Sequence, residues 1–232
     1  MKFMSFNTEH CNSYIKKKID FQMIADTIKT CEADVVGLNE MRSQGEKAGY
    51  DDQTAILSDL TGLKHYYFAE AIKFDGDNPY GNSLLSKHPI ISAETVPVPD
   101  PAPKMGTNYY ETRCLLKAIL EGGITVLVTH FGLNPDEQEN AVKTVLANLE
   151  SEKCILMGDF NVTPDSAILK PIYEHMQDTA ASIGRPLLSW PSDKPERKID
   201  YIFVSPDIEV VEADVPAIVA SDHRPHTAIL NI

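Results

Sequence analysis

Lys153-Cys-Ile-Leu-Met-Gly-Asp-Phe-Asn-Val-Thr-Pro-Asp165 places an apolar run, a break and a helix-start signal within thirteen residues. Cys154 to Met157 is long enough for a buried strand, Gly158 breaks it, and Thr163-Pro164 reads as an N-cap followed by proline at the first helical position. The spacing predicts a strand that stops and a helix that starts about five residues later, running from Pro164 to about Met176. Between them a short loop carries Asp159 and Asn161. A carboxylate beside a carboxamide suits a hard cation such as Mg2+, which takes oxygen donors. Asp and Asn are equally ordinary turn residues, so this loop alone decides nothing.

Working outward, four more stretches put the same chemistry at strand ends: Ser5-Phe-Asn7-Thr, Leu38-Asn-Glu40, Thr129-His130, and the pair Ile199-Asp200-Tyr201 with Ser221-Asp222-His223-Arg-Pro225. Together and in this order they resemble the endonuclease/exonuclease/phosphatase (DNase I-like) superfamily, in the form of its small bacterial members. The resemblance spans nearly the whole chain, and the Gly158-Asp-Phe-Asn161 and Ser221-Asp-His223 blocks make it specific. It implies an α/β fold, a four-layer sandwich of two packed mixed β-sheets with outer helices, as one catalytic domain over residues 1–232. It also implies Glu40 as the principal metal ligand with Asn7 and Asp222 near it, Mg2+ or Mn2+ as the cation, and Asp159, Asn161, Asp200, His223 and His130 as catalytic groups. The resemblance puts His130 and Asn82 in contact with the substrate phosphate. Asn82 reads equally as a turn asparagine, and Arg113 as either a phosphate clamp or an ordinary ion-pair residue. Family members usually carry Gln at the position of Asn39 and Arg at that of Lys198.

In chain order, Lys2 to Asn7 alternates as a strand, and apolar positions from Tyr14 to Cys31 recur at helical spacing, with Lys16, Lys17 and Lys18 on a solvated face. A second strand, Asp34 to Glu40, delivers a carboxylate that must emerge at a sheet rim or be paired. A helix over 52–60 follows, then strands over 65–72, 82–86 and 90–98. A proline-rich loop leads to the strand Cys114 to Leu120, which turns at Gly122-Gly123 into Ile124 to Thr129. Pro135 to Glu150 has proline and acids in its first turn and one apolar stripe, and so predicts a helix. Trp190 reads as mouth or core cover. Strands over 208–215 and 226–232 close the chain.

The chain has 232 residues with 43% hydrophobic and 24% charged residues, the profile of an ordinary globular protein. No run reaches the ~18 apolar residues of a membrane span. The N-terminus enters a strand at once, which predicts a cytoplasmic location unless an export signal has been trimmed, and a monomer is expected. Cys11, Cys31, Cys114 and Cys154 are far apart and form no CxxC pair, so buried reduced thiols are expected. A net charge of -13 lowers the expectation of a duplex-gripping enzyme, because phosphate neutralisation by basic residues dominates that affinity.

Oxygen ligands without Cys or HExxH spacing suit Mg2+ or Mn2+ and not zinc. The expected reaction is hydrolysis at phosphorus of a small phosphodiester or phosphomonoester, such as a lipid or sugar head group. Asp159 would orient or deprotonate the water, and Asp200 would hold the His223 imidazole. The alternatives are a nuclease acting on DNA or RNA and a non-catalytic binding module of the same fold.

Overall fold

Alternation of apolar side chains along each central strand dictates the architecture. In β1 (Lys2–Asn7) and β2 (Val35–Arg42), Phe3 and Val35 face one apolar cluster while their neighbours Met4 and Val36 face another. In β7 (Ile124–His130) and β8 (Cys154–Asp159), Val126, Val128, Ile155 and Met157 face the first cluster and Leu127 and Leu156 a third. Strands apolar on both faces must be covered on both. The result is an α/β sandwich of four layers. The first cluster lies between two sheets. The second lies under α1 (Phe21–Thr30) and α2 (Gln53–Thr61), and the third under α3 (Pro135–Leu146).

The computed structural model describes residues 1–232. Its remaining strands are β3 (His65–Phe74), β4 (Asn78–Ser86), β5 (Ile90–Pro97), β6 (Cys114–Leu120), β9 (Gln177–Asp178), β10 (Asp200–Val204), β11 (Glu209–Asp214) and β12 (His226–Asn231). One sheet has the order β11-β12-β1-β2-β4-β3 and the other β5-β6-β7-β8-β10-β9. Both are mixed: β1 pairs with β2, and β7 with β8, in parallel, while the other pairings are antiparallel. The sheets approach closely at Gly37, where a Cβ would stand 2.9 Å from Val128 Cγ2. All four cysteines are buried and free. No helix is long and apolar enough to cross a membrane.

Several elements depart from the sequence reading. Gly158 does not end its strand: β8 runs through it to Asp159, because its φ of +147° lets the backbone pass Thr129 O, which a Cβ would strike at 1.8 Å. No helix begins at Pro164. Thr163 donates its hydroxyl to Asp165 Oδ1 (2.5 Å) and closes a turn, and helical structure starts later, with a 3-10 segment over Ala167–Leu169 and then α4 (Lys170–Tyr173). The first helix starts at Phe21, where Asp20 caps it by accepting from Met23 N (3.1 Å), so Lys16 to Lys18 lie in turns. Lys198 stands where family members usually carry Arg and does not line the cleft that gathers the site residues. It is buried, paired with Asp178 (3.3 Å), and donates to Asp200 O (3.2 Å).

Beneath the site-bearing rim, His226 is fully buried. Its Nδ1 donates to Asp200 O (3.4 Å), which can only accept, so Nε2 is left to accept from the Thr179 hydroxyl (3.3 Å). Burial, reinforced by the Lys198 charge, lowers its pKa to about 3. Below pH ~6.5 the unfolded chain takes a proton that the folded chain refuses, so this group's contribution is complete above that pH and is lost as pH falls toward 3. His226→Gln is therefore expected to flatten the loss of stability between pH 7 and 5 by nearly one proton, or about 1.4 kcal/mol per pH unit at most. Urea unfolding of both proteins at the two pH values measures this. Parallel slopes would show that His226 does not titrate on unfolding.

Candidate active site

The site-bearing side chains leave both sheets at one rim. Asn7 ends β1, Glu40 lies near the end of β2, His130 ends β7 and Asp159 ends β8. Asp200, at the start of β10, pairs in register with Asp159. Asp222 and His223 come from the segment before β12. Glu40, Arg113, His130, Asp159, Asn161, Asp222 and His223 line one cleft of about 580 Å3.

A bulge aims Glu40. Leu38 and Met41 are three residues apart, yet both face the helix-side core, because the β2–β4 register shifts between them. The inserted pair turns the other way, with Glu40 in the left-handed region at φ 60°, a conformation that costs about 1 kcal/mol or more in a non-glycine residue and recurs at functional sites. Asn39, the other member of the pair, is fully buried and crosses to the second sheet. Its Nδ2 donates to Asn82 Oδ1 and to Thr129 O (both 2.8 Å), and its Oδ1 accepts from Asp159 N (2.9 Å). One side chain thus joins β2, β4, β7 and β8.

Asn7 Nδ2 lies between two acids, donating to Glu40 Oε1 (3.0 Å) and Asp159 Oδ2 (3.1 Å), while its Oδ1 accepts from Glu9 N (3.1 Å). Its amide therefore bridges carboxylates and does not present oxygen to the cleft. Asp159 Oδ1 accepts from Asn161 N (2.9 Å). That turn holds Asn161 at φ 53°, which asparagine tolerates, and lets its Nδ2 donate to Phe131 O (3.0 Å). Asp159 Oδ2 faces two imidazoles, His130 Nε2 at 3.5 Å and His223 Nε2 at 3.6 Å.

The two histidines are in opposite electrical states. Burial and the Arg113 charge hold His130 well below its ordinary pKa. Arg113 Nη1 donates to its Nδ1 (3.0 Å), and Asn161 Nδ2 lies 3.2 Å from its Nε2, so a donor faces each ring nitrogen and a second ring proton is disfavoured. Burial also opposes charge on His223, but Asp200 Oδ2, 2.8 Å from Nδ1, and Asp159 outweigh it and raise the pKa to about 10. Ser189 Oγ donates to the same Asp200 oxygen (2.6 Å). Burial raises the Asp159 carboxyl to about 7, against the His223 charge. Burial and the Asp222 charge also raise Glu40.

Of the residues expected from sequence, Asn7 and Asp200 sit buried behind the cleft, bonded to Asp159 and His223, and Asn82 is kept from it altogether. It is buried in the seam between the sheets, with its Nδ2 donating to Cys114 O (3.0 Å). Arg113 lines the cleft and is also ion-paired with Glu111. The sequence reading missed Asn39, whose role needs the sheet-to-sheet register, and it missed Glu111, Tyr109 and Arg197, which reach the cleft from loops without periodicity. Trp190 lines the mouth.

The carboxylates of the cleft offer a donor set for a divalent cation. Glu40 Oε1 accepts one N–H from Asn7, and Oε2 has only His10 Nδ1 at 4.0 Å, an imidazole that burial holds neutral with a pKa of about 4. Asp222, 31% exposed at the side chain, presents Oδ2 to the same cleft. Two half-satisfied carboxylates with repelling charges, whose nearest cation is the His223 imidazolium 3.8 Å from Asp222 Oδ2, fit a hard cation. The more buried trio Asp159, Asp200 and His223 also brings ligand atoms within 4.8 Å of one another, but there the Asp200–His223 hydrogen bond occupies Nδ1.

Residues 4–223 match the profile of the Endonuclease/Exonuclease/phosphatase family. A search of curated proteins returns no significant match. Among solved structures, an endonuclease/exonuclease/phosphatase from Beutenbergia cavernae is similar with a TM-score of 0.78 and 24% identity, over 100% of this chain and 71% of that one. A mannosyl-6-phosphatase from Bacteroides thetaiotaomicron aligns with a TM-score of 0.76 and 16% identity, over 100% of both chains. The human Nocturnin catalytic domain with bound sulfate aligns with a TM-score of 0.71 and 16% identity, over 100% of this chain and 94% of that one.

Proposed function

From the premise that this chain belongs to the endonuclease/exonuclease/phosphatase family, whose members are hydrolytic phosphoesterases, we propose that it is a divalent-metal-dependent enzyme hydrolysing a small phosphodiester or phosphomonoester. The observation that carries this reading is the convergence of Glu40, Asp159, Asp222 and the Asp200–His223 pair, from both sheets, on one cleft. A binding module has no physical need for a carboxylate–imidazole pair beside two half-satisfied carboxylates. A cleft of this volume suits a compact ligand, and a net charge of -13 opposes a long polyanion more than a small ester, since charges beyond ~8 Å are screened at physiological salt. The mannosyl-6-phosphatase of similar fold acts, by its name, on a sugar phosphate, which accords with a compact substrate.

In this reading Glu40 and Asp222 hold Mg2+ or Mn2+, and Asn7 fixes Glu40 relative to Asp159. The cation, when bound, neutralises charge on phosphate and leaving oxygens. Asp159, held on both oxygens by Asn161 N and Asn7 Nδ2, orients the attacking water and takes its proton. His223, kept cationic by Asp200, stabilises charge on the phosphoryl oxygens. His130, neutral and fixed by Arg113, lines the site beside Asp159, where it contacts the substrate phosphate.

Assay of the purified chain against bis-p-nitrophenyl phosphate, p-nitrophenyl phosphate and plasmid DNA at ~0.15 M salt tests the proposal. Turnover of a small ester is expected to vanish in EDTA and return with Mg2+ or Mn2+. Full activity after exhaustive chelation would end the metal mechanism, and DNA nicking without small-ester turnover would promote the nuclease reading.

A further inference from the structure

Four carboxylates, Glu40, Glu111, Asp159 and Asp222, line the cleft, and its cationic groups are nearly all committed against them. Arg113 is paired with Glu111 and donates to His130, and His223 is backed by Asp200. Arg197 is the exception. It lines the cleft, it is exposed, and its guanidinium lies 5.7 Å from the Trp190 ring centre. No carboxylate lies within ion-pair distance of it.

The backbone beneath Arg197 is pinned. Arg197 N donates to Trp190 O (2.9 Å) and Trp190 N to Arg197 O (3.1 Å), forming an antiparallel bridge. The same loop is stitched to the segment carrying Asp222 and His223: Ser192 N donates to Asp222 O (2.7 Å), and Arg224 Nε to Ser192 O (2.6 Å). A guanidinium placed over an indole face is attracted to it without using its N–H donors. In a cleft whose other cationic groups are paired with acids, this leaves one guanidinium free to receive a second anionic group.

We propose that Arg197, held over Trp190, receives a second anionic group, a phosphate or a carboxylate, on the part of the substrate remote from the hydrolysed ester. The preferred substrates are then small phosphoesters that carry a second anionic group besides the reacting phosphate. This rests on the phosphoesterase reading above and adds the substrate class.

Trp190 is the only tryptophan of the chain, so its fluorescence reports this site directly. With Mg2+ present, glucose 6-phosphate, 6-phosphogluconate and glucose 1,6-bisphosphate are titrated into the full chain and read within seconds of mixing. Binding is expected to be about tenfold tighter for the two probes that carry a second anionic group, the size of one charge-assisted hydrogen-bonded contact. A gain for the bisphosphate alone identifies phosphate as the second group; a gain for both shows that carboxylate suffices. Arg197→Gln should abolish the difference and leave glucose 6-phosphate within about twofold, while Arg197→Lys keeps part of it. The backbone bridge does not involve the side chain, so these variants retain the loop. Equal binding of all three probes by the wild-type chain, or equal weakening of all three in Arg197→Gln, overturns the proposal. So does slower cleavage of a single-stranded oligonucleotide in Arg197→Gln with small-probe binding unchanged, which would make Arg197 a strand contact. A chain that discriminates the probes through Arg197 but hydrolyses no phosphoester would refute the phosphoesterase reading and leave this one standing.

Discussion

Asp159→Asn is expected to lower kcat on a small phosphoester by about three orders of magnitude, the scale of a lost general base, with little loss of folding stability. The two halves of this expectation share one cause. Burial raises the Asp159 carboxyl to about 7, so the folded chain disfavours the very charge that the reaction needs, and a neutral amide of the same shape relieves that cost. His223→Ala should lose a comparable factor. Asp200→Asn should lose less, about a hundredfold, because it keeps the shape but removes the charge that holds the imidazole protonated. Steady-state kinetics with urea unfolding of each variant decides. An Asp159→Asn protein turning over within tenfold of wild type would remove Asp159 from the chemistry.

Placement of these groups was legible in the sequence wherever a strand delivers them. Apolar runs that end in Asn7, Glu40, His130 and Asp159 mark the rim, because a strand apolar on both faces can present a polar group only where it leaves the core. Elements that depend on a competing local bond were not legible. Thr163 looks like an N-cap, but Asp165, two residues on, accepts its hydroxyl. Gly158 looks like a strand end, and only the β7–β8 approach shows that it is what allows the strand to continue. Asn82 marks the limit of resemblance: position in a motif does not reveal which way a side chain points when Asn39 and Cys114 O compete for its amide.

Asn39→Ala is expected to cost about 4 kcal/mol of stability and also to slow catalysis, in contrast to the change at Asp159. The substitution strands three buried groups at once, Asn82 Oδ1, Thr129 O and Asp159 N, and each orphaned group costs ~1–3 kcal/mol. That is a large share of the ~5–15 kcal/mol available to a globular protein. The catalytic loss follows from geometry. Asn39 holds the backbone of Asp159 relative to the bulge that aims Glu40, so its removal loosens the general base relative to the metal ligand while leaving both side chains intact. Two routes to slower turnover must then be separated, partial unfolding and misplacement of Asp159. Activity measured per folded molecule, well below the unfolding midpoint, removes the first. The double variant isolates the second: if Asn39 acts through Asp159, Asn39→Ala in an Asp159→Asn background should slow turnover no further, because the group it positions is already disabled. Additive losses in the double variant would show that the seam residue reaches the reaction by another route, and the coupling inferred from its hydrogen bonds would be wrong.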